Sequence, residues 1–172
     1  SSVEDDCGVC GGGNASMDEC GVCGGNGNSC NGCGLLPDSG ITGYLQITPD
    51  GSVFYKTPYD IGGFQFFVDG ATLNGAAAAS GGDSGDSLWT VSTNPSAGMV
   101  LGFSLTGEII PAGCGTLTEL DIIGQATGLS DVIMSNVDGV QIYFESVCSD
   151  EFPLDCAGVC GGSSVEDDCG VC

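Results

Sequence analysis

The sequence contains no histidine and a single basic residue, Lys56, against 23 aspartates and glutamates, for a formal net charge of −22. Without histidine, neither a Ser-His-Asp nor a Cys-His arrangement can form, and imidazole base catalysis is excluded. Without a basic face, nucleic-acid binding through phosphates is excluded. Attraction to anionic membranes fails on the same ground. No apolar run is long enough to cross a bilayer, and no signal peptide is evident. No segment has the length and 3.6-residue period of a good helix. So many acids with so few ion-pair partners repel one another, and bound cations are the natural remedy. The hydrophobic content is an ordinary 41%, so the chain is not a disordered acidic tail.

What is present is repetition. Ser1 to Cys10 reads SSVEDDCGVC, and Ser163 to Cys172 reads the same, so the numbering advances by 163 − 1 = 162 between the copies. Fixed self-similarity marks repeat architectures, and a period this long suits one folded domain plus one connector per unit. A shorter repeat lies within the connector. Cys7 and Cys10 recur as Cys20 and Cys23, and Cys156 recurs as Cys169, with 20 − 7 and 169 − 156 both equal to 13. The shared pattern is an acidic residue followed by Cys-Gly-Val-Cys-Gly-Gly, with a looser form from Asp155 to Gly162. The expected organisation is a Cys/Gly/Asp-rich connector over 1–34, a globular domain over 35–148, and a connector over 149–172 leading into the next unit.

There are 12 cysteines, an even number in Gly-rich acidic surroundings, which suggests an oxidising extracellular or cell-surface setting. Paired cysteines with two residues between them also suit zinc, with Cys20, Cys23, Cys30 and Cys33 as the best four ligands. A redox role is a third option. The disulfide reading is favoured, since thiolates would add negative charge where carboxylates already crowd. It predicts a ladder of Cys160–Cys169, Cys10–Cys20 and Cys23–Cys30. Cys114 and Cys148 are expected to pair within the domain, which leaves Cys33 and Cys156 as a clasp across its base. Cys33–Cys148 and Cys33–Cys114 are nearly equal alternatives, and sequence does not choose among them.

The connector acids suggest calcium, which takes six to eight oxygens from carboxylates, amides and carbonyls. Candidate ligands are Asp5, Asp6, Asp18, Glu19, Asn26, Asn28, Asp155, Asp167 and Asp168. The alternative is a solvated acidic linker. Between the connectors, short runs rich in Val, Ile, Phe and Thr alternate with turn signals. Strands are expected over Ile41–Thr48, Ser52–Thr57, Gly63–Val68, Leu88–Ser92, Met99–Leu105, Thr116–Ile123, Val132–Ser135 and Val140–Val147. Pro49-Asp50-Gly51 reads as a hairpin turn, and Ala71–Ser87 as an exposed, mobile small-residue loop. The predicted fold class is all-β, an antiparallel β-sandwich with an irregular disulfide-rich, calcium-binding connector. Trp89 and the tyrosines are candidates for a sugar-binding face, although Trp89 suits a core position better.

Gly62-Gly63-Phe64-Gln65-Phe66, Ser92-Thr93-Asn94-Pro95-Ser96 and Ile110-Pro111-Ala112-Gly113 resemble a cohesin-type jelly-roll module, over about residues 38–147. The Cys-Gly-Val-Cys-Gly-Gly repeats resemble those of large secreted repetitive bacterial proteins and, more distantly, thrombospondin type 3 calcium-binding repeats. They lack a full Asp-x-Asp-x-Asp-Gly run. The resemblance implies a binding partner such as a dockerin or a polysaccharide, and no catalytic residues. The expected function is a non-enzymatic structural repeat unit of an extracellular filament or adhesin stalk, with identical units as partners. A cohesin-like module binding a protein or polysaccharide is the alternative.

Overall fold

A computed structural model describes residues 32–86, 88–149 and 151–172. Two five-stranded sheets face each other. The first has the order β10-β1-β2-β7-β4 and the second β5-β6-β3-β8-β9. The strands are β1 (Gly43–Ile47), β2 (Ser52–Thr57), β3 (Gly63–Leu73), β4 (Ala79–Ser80), β5 (Trp89–Asn94), β6 (Met99–Ser104), β7 (Gly113–Leu120), β8 (Ile122–Ser135), β9 (Gln141–Ile142) and β10 (Phe144–Ser146). Among the described residues the one α-helix is α1 (Gly82–Asp86).

Alternation builds the core. In β1, Leu45 and Ile47 point inward, in β2 Val53 and Tyr55, and in β3 Phe64, Phe66 and Val68. Together with Val100, Leu117, Leu129 and Met134 they form one buried cluster drawn from both sheets. Each such side chain stabilises the sandwich by roughly 1.5–3 kcal/mol through apolar burial. Phe64 is stacked between Phe66 and Trp89, with ring centroids 5.9 and 5.6 Å away. Trp89 therefore packs on the core edge.

The Pro49-Asp50-Gly51 turn joins β1 to β2 as an antiparallel hairpin. Gly51 takes φ +103° there, which its missing Cβ permits. Almost all pairings are antiparallel, with one departure. The first and last strands of the sandwich, β1 and β10, are parallel neighbours, with Gly43 opposite Phe144 and Leu45 opposite Ser146.

Two expectations need correction. Ala71–Ser87 is not simply an exposed loop: Leu73 and Ala78 are in the core, and β4 pairs with β7. Ser84 of α1 is buried as well. Small residues make this close approach possible. A Cβ on Gly82 would sit 2.7 Å from the carbonyl oxygens of Thr116 and Leu117. The second correction is β8, which spans 14 residues rather than Val132–Ser135 alone. Its pairing with β3 shifts register twice, so no simple alternation survives along it.

Candidate functional site: the cross-linked ends of the sandwich

The leading segment is fastened to the outside of the first sheet. A short 3-10 turn, Cys33–Leu35, places Cys33 against that sheet, where a disulfide joins it to Cys114 of β7, 81 residues away in sequence. Register slips between Val53 and Phe54, and Phe54 joins a second, smaller cluster with Cys33 and Leu36. Tyr44 and Val147 pack against this cluster. Lys56 Nζ donates to the Leu36 carbonyl at 3.2 Å and pairs with Asp38 Oδ1 at 2.7 Å. Asp38 is largely exposed, so the ion pair contributes little by itself. The chain's sole basic side chain thus contacts the leading segment that the disulfide fastens.

The trailing segment is fastened beside it. The Val147 N–H donates to the Leu45 carbonyl at 2.7 Å, continuing the β1–β10 ladder. Gln46 Nε2 donates to the Cys148 carbonyl at 2.9 Å. Cys148 is disulfide-bonded to Cys160, and Cys160 lies on β8 at Gly128. A Cβ on Gly128 would be 3.0 Å from that of Cys160, so glycine leaves the space the cross-link needs.

Beyond this point come two turns of the same construction. In the first, the Asp155 N–H donates to the Val159 carbonyl at 3.0 Å, and the Val159 N–H donates back to Asp155 Oδ1 at 2.8 Å. In the second, the Asp167 N–H donates to the Val171 carbonyl at 2.8 Å, and the Val171 N–H donates to Asp167 Oδ1 at 2.9 Å. Gly158 and Gly170 close the two turns with φ +80° and +78°. Each aspartate mimics a backbone turn through its side chain. The Val159 N–H holds the Asp155 carboxyl below its ordinary range, desolvation opposes this, and the Ser164 N–H adds to the lowering. The Cys156–Cys172 disulfide joins the two turns.

The observed pairings correct the expected ones. Cys160 bonds Cys148 and not Cys169, which is a free, exposed thiol. Cys114 bonds Cys33 and not Cys148, the outcome given as an alternative. Cys156 bonds Cys172 and makes no clasp with Cys33. Its bond to Cys114 also removes Cys33 from the zinc set. Cys10, Cys20, Cys23 and Cys30, with Asp5, Asp6, Asp18, Glu19, Asn26 and Asn28, lie outside the described residues. Among the described residues, no group of three or more Cys, Asp or Glu converges to hold a metal ion. Asp155 accepts backbone N–H groups on both carboxylate oxygens, and Asp167 accepts two on Oδ1.

Two features gave no signal in the sequence. Tyr55 Oη donates to Asp83 Oδ2 at 2.6 Å, which ties α1 to β2. On the outward face of the second sheet, Gln65, Leu101, Phe103 and Ile133 line a shallow groove. The helical turn around Asp83 is too short for a periodic pattern, and the groove assembles from three strands.

No family model matches the chain, and no curated protein matches it. Among solved structures, the chain is similar to a non-cellulosomal cohesin from the hyperthermophilic archaeon Archaeoglobus fulgidus, at 14% identity and a TM-score of 0.41. The match covers 62% of this chain and 83% of that one.

Proposed function

We propose that the chain is a load-bearing structural unit of an extracellular filament or adhesin stalk built from repeated copies. One observation carries this reading: the first and last strands of the sandwich are parallel neighbours, and both flanking segments are cross-linked to the fold. Tension on the two ends of parallel adjacent strands pulls them in opposite directions along their length. All ladder hydrogen bonds are then loaded together, instead of opening one at a time. The Cys33–Cys114 and Cys148–Cys160 bonds keep the flanks from peeling away before that ladder is loaded. The disulfides among the described residues fit an oxidising extracellular setting, and the identical decapeptides at positions 1–10 and 163–172 supply the repeat.

Calcium belongs to the same proposal, bound by the connector acids, whose mutual repulsion it would relieve. Negative-stain imaging of an array of several units tests both parts. Stiff, extended particles are expected in oxidising buffer with calcium, with added curvature after chelation and collapse after reduction. Arrays that stay equally stiff after both treatments would contradict the reading.

A second reading, a module that binds a protein partner, is favoured by the apolar groove of Leu101, Phe103 and Ile133. Replacing Leu101 and Ile133 by aspartate separates the two. Array shape is unchanged on the first reading, and partner capture is lost on the second.

A further inference from the structure

We infer that Cys156 is the covalent attachment point for the decapeptide Ser-Ser-Val-Glu-Asp-Asp-Cys-Gly-Val-Cys of a second copy of this chain. The inference rests on the repeat-unit reading and names the contact that would join successive units.

The occupant of the site is defined by its sequence. Cys156 bonds the last residue of Ser163–Cys172, and that decapeptide is identical to Ser1–Cys10. A segment with the same ten residues has the same capacity to form the Asp167-type turn. That turn is local: its three hydrogen bonds to Asp167 Oδ1 and the Asp167 carbonyl come from Cys169, Gly170 and Val171. It borrows nothing from the sandwich. Besides its peptide link through Gly162, the segment is held by the disulfide and by the Ser164 N–H, which donates to Asp155 Oδ2 at 3.1 Å. Asp155 therefore faces both ways, capping its own turn through Oδ1 and receiving the incoming segment through Oδ2. The site is a short covalent socket whose occupant is specified by a sequence the chain carries twice.

Attachment in trans is a thiol–disulfide exchange. The thiolate of the decapeptide's second cysteine attacks the Cys156 sulfur of the Cys156–Cys172 bond. A new disulfide forms at Cys156, and Cys172 leaves as a thiolate and takes up a proton. One disulfide and one thiol are present before and after, so no outside oxidant is required. In a tandem array the same bond forms within one chain, as Cys156–Cys172 does here.

The test uses the full chain with Cys169→Ser and Cys172→Ser, which removes both thiols of the chain's own decapeptide from competition for Cys156, and the reduced synthetic decapeptide. A buffer of glutathione and glutathione disulfide is the oxidant: peptide and Cys156 thiols are joined, and one glutathione disulfide becomes two glutathiones. Intact mass and non-reducing peptide maps are the readouts. The expected result is a one-to-one adduct through Cys156 and the peptide's second cysteine. A peptide with alanine at its fifth position, the match of Asp167, should be captured on the order of tenfold less, since preorganisation sets the effective concentration of the thiol. Adducts with glutathione alone, capture through the peptide's first cysteine, or no preference between the two peptides would overturn the inference. Intact Cys33–Cys114 and Cys148–Cys160 peptides in the same map verify folding. If the variant does not fold, millimolar peptide on the unaltered chain must release the Cys172 thiol for alkylation, and absence of that release counts against the inference. Capture combined with limp arrays sinks the load-bearing reading alone, whereas stiff arrays without capture sink only this attachment.

Discussion

At the scale of single residues, the fold depends on contacts that leave no room for a methyl group. A Cβ on Gly115 would sit 2.5 Å from Asp83 Oδ2 and 3.1 Å from Tyr55 Oη. Gly115→Ala is therefore expected to break the Tyr55–Asp83 hydrogen bond and to destabilise the domain by about 1–3 kcal/mol, the usual cost of leaving a buried polar group unsatisfied. Denaturant titration checks this. Burial raises the Tyr55 pKa above its ordinary value, and the hydrogen bond to Asp83 and that residue's charge raise it further. The folded state thus holds the phenol proton more tightly than the unfolded chain. This stabilisation is complete below about pH 10 and is lost as pH rises beyond it. Tyr55→Phe should flatten the alkaline limb of a stability–pH curve, and an unchanged limb would show that another group governs it. Gly102 is similarly constrained, because a Cβ there would overlap the Phe64 ring, which is held between Phe66 and Trp89. Gly102→Ala is expected to cost about 1–3 kcal/mol through overpacking, read as a lower melting temperature.

At the scale of elements, the sequence is most legible where one face is buried and the other is not. The Phe64-Gln65-Phe66 alternation in β3 is inherited directly from the pleat. β8 is not legible over most of its length, because Gly124 and Asp131 take φ +93° and +47° and the strand changes register against β3. The small-residue stretch before β5 misleads for a related reason: small residues also permit close packing, and here they let α1 lie against β7. The connector turns show the same limit. Counting cysteines aligns Cys156 with Cys169, a spacing of 169 − 156 = 13. The hydrogen bonds instead align Asp155 with Asp167, at 167 − 155 = 12. The aspartate, not the first cysteine, defines the unit. For Asp155 the folded pKa is lowered, so its contribution is present above the ordinary aspartate range and is lost as pH falls through the folded value. The protection of the Val159 amide, relative to the intrinsic exchange rate at each pH, should fall in acid, and Asp155→Ala should remove the same protection at neutral pH.

At the scale of the whole molecule, the cysteine pattern indicates an oxidised protein but not its connectivity. The pairing depends on where the strands run: the parallel β10 delivers Cys148 beside β1, and the bulge at Phe54 makes room for the cluster around Cys33. Loop length orders the disulfides by stability. Cys33–Cys114 closes 81 residues and Cys148–Cys160 closes 12, so chain entropy assigns them about 4–5 and about 3 kcal/mol. Serine pairs at each should lower thermal stability in that order, with the Cys33–Cys114 variant losing more.

The claim that the ends are clamped to bear tension is tested most directly by pulling single molecules through handles at both ends. With Cys33–Cys114 closed, an unfolding sandwich can release only the chain from Cys114 to Cys148. That stretch of about 34 residues, at about 3.5 Å each, has an extended length of roughly 120 Å. After reduction the released chain runs from Cys33 to Cys148. That stretch of about 115 residues extends to roughly 400 Å on the same scale. A short step at high force in oxidising buffer, replaced by the long step in reductant, is the expected result. Long steps in both buffers, or unfolding at negligible force with the disulfides intact, would contradict the account.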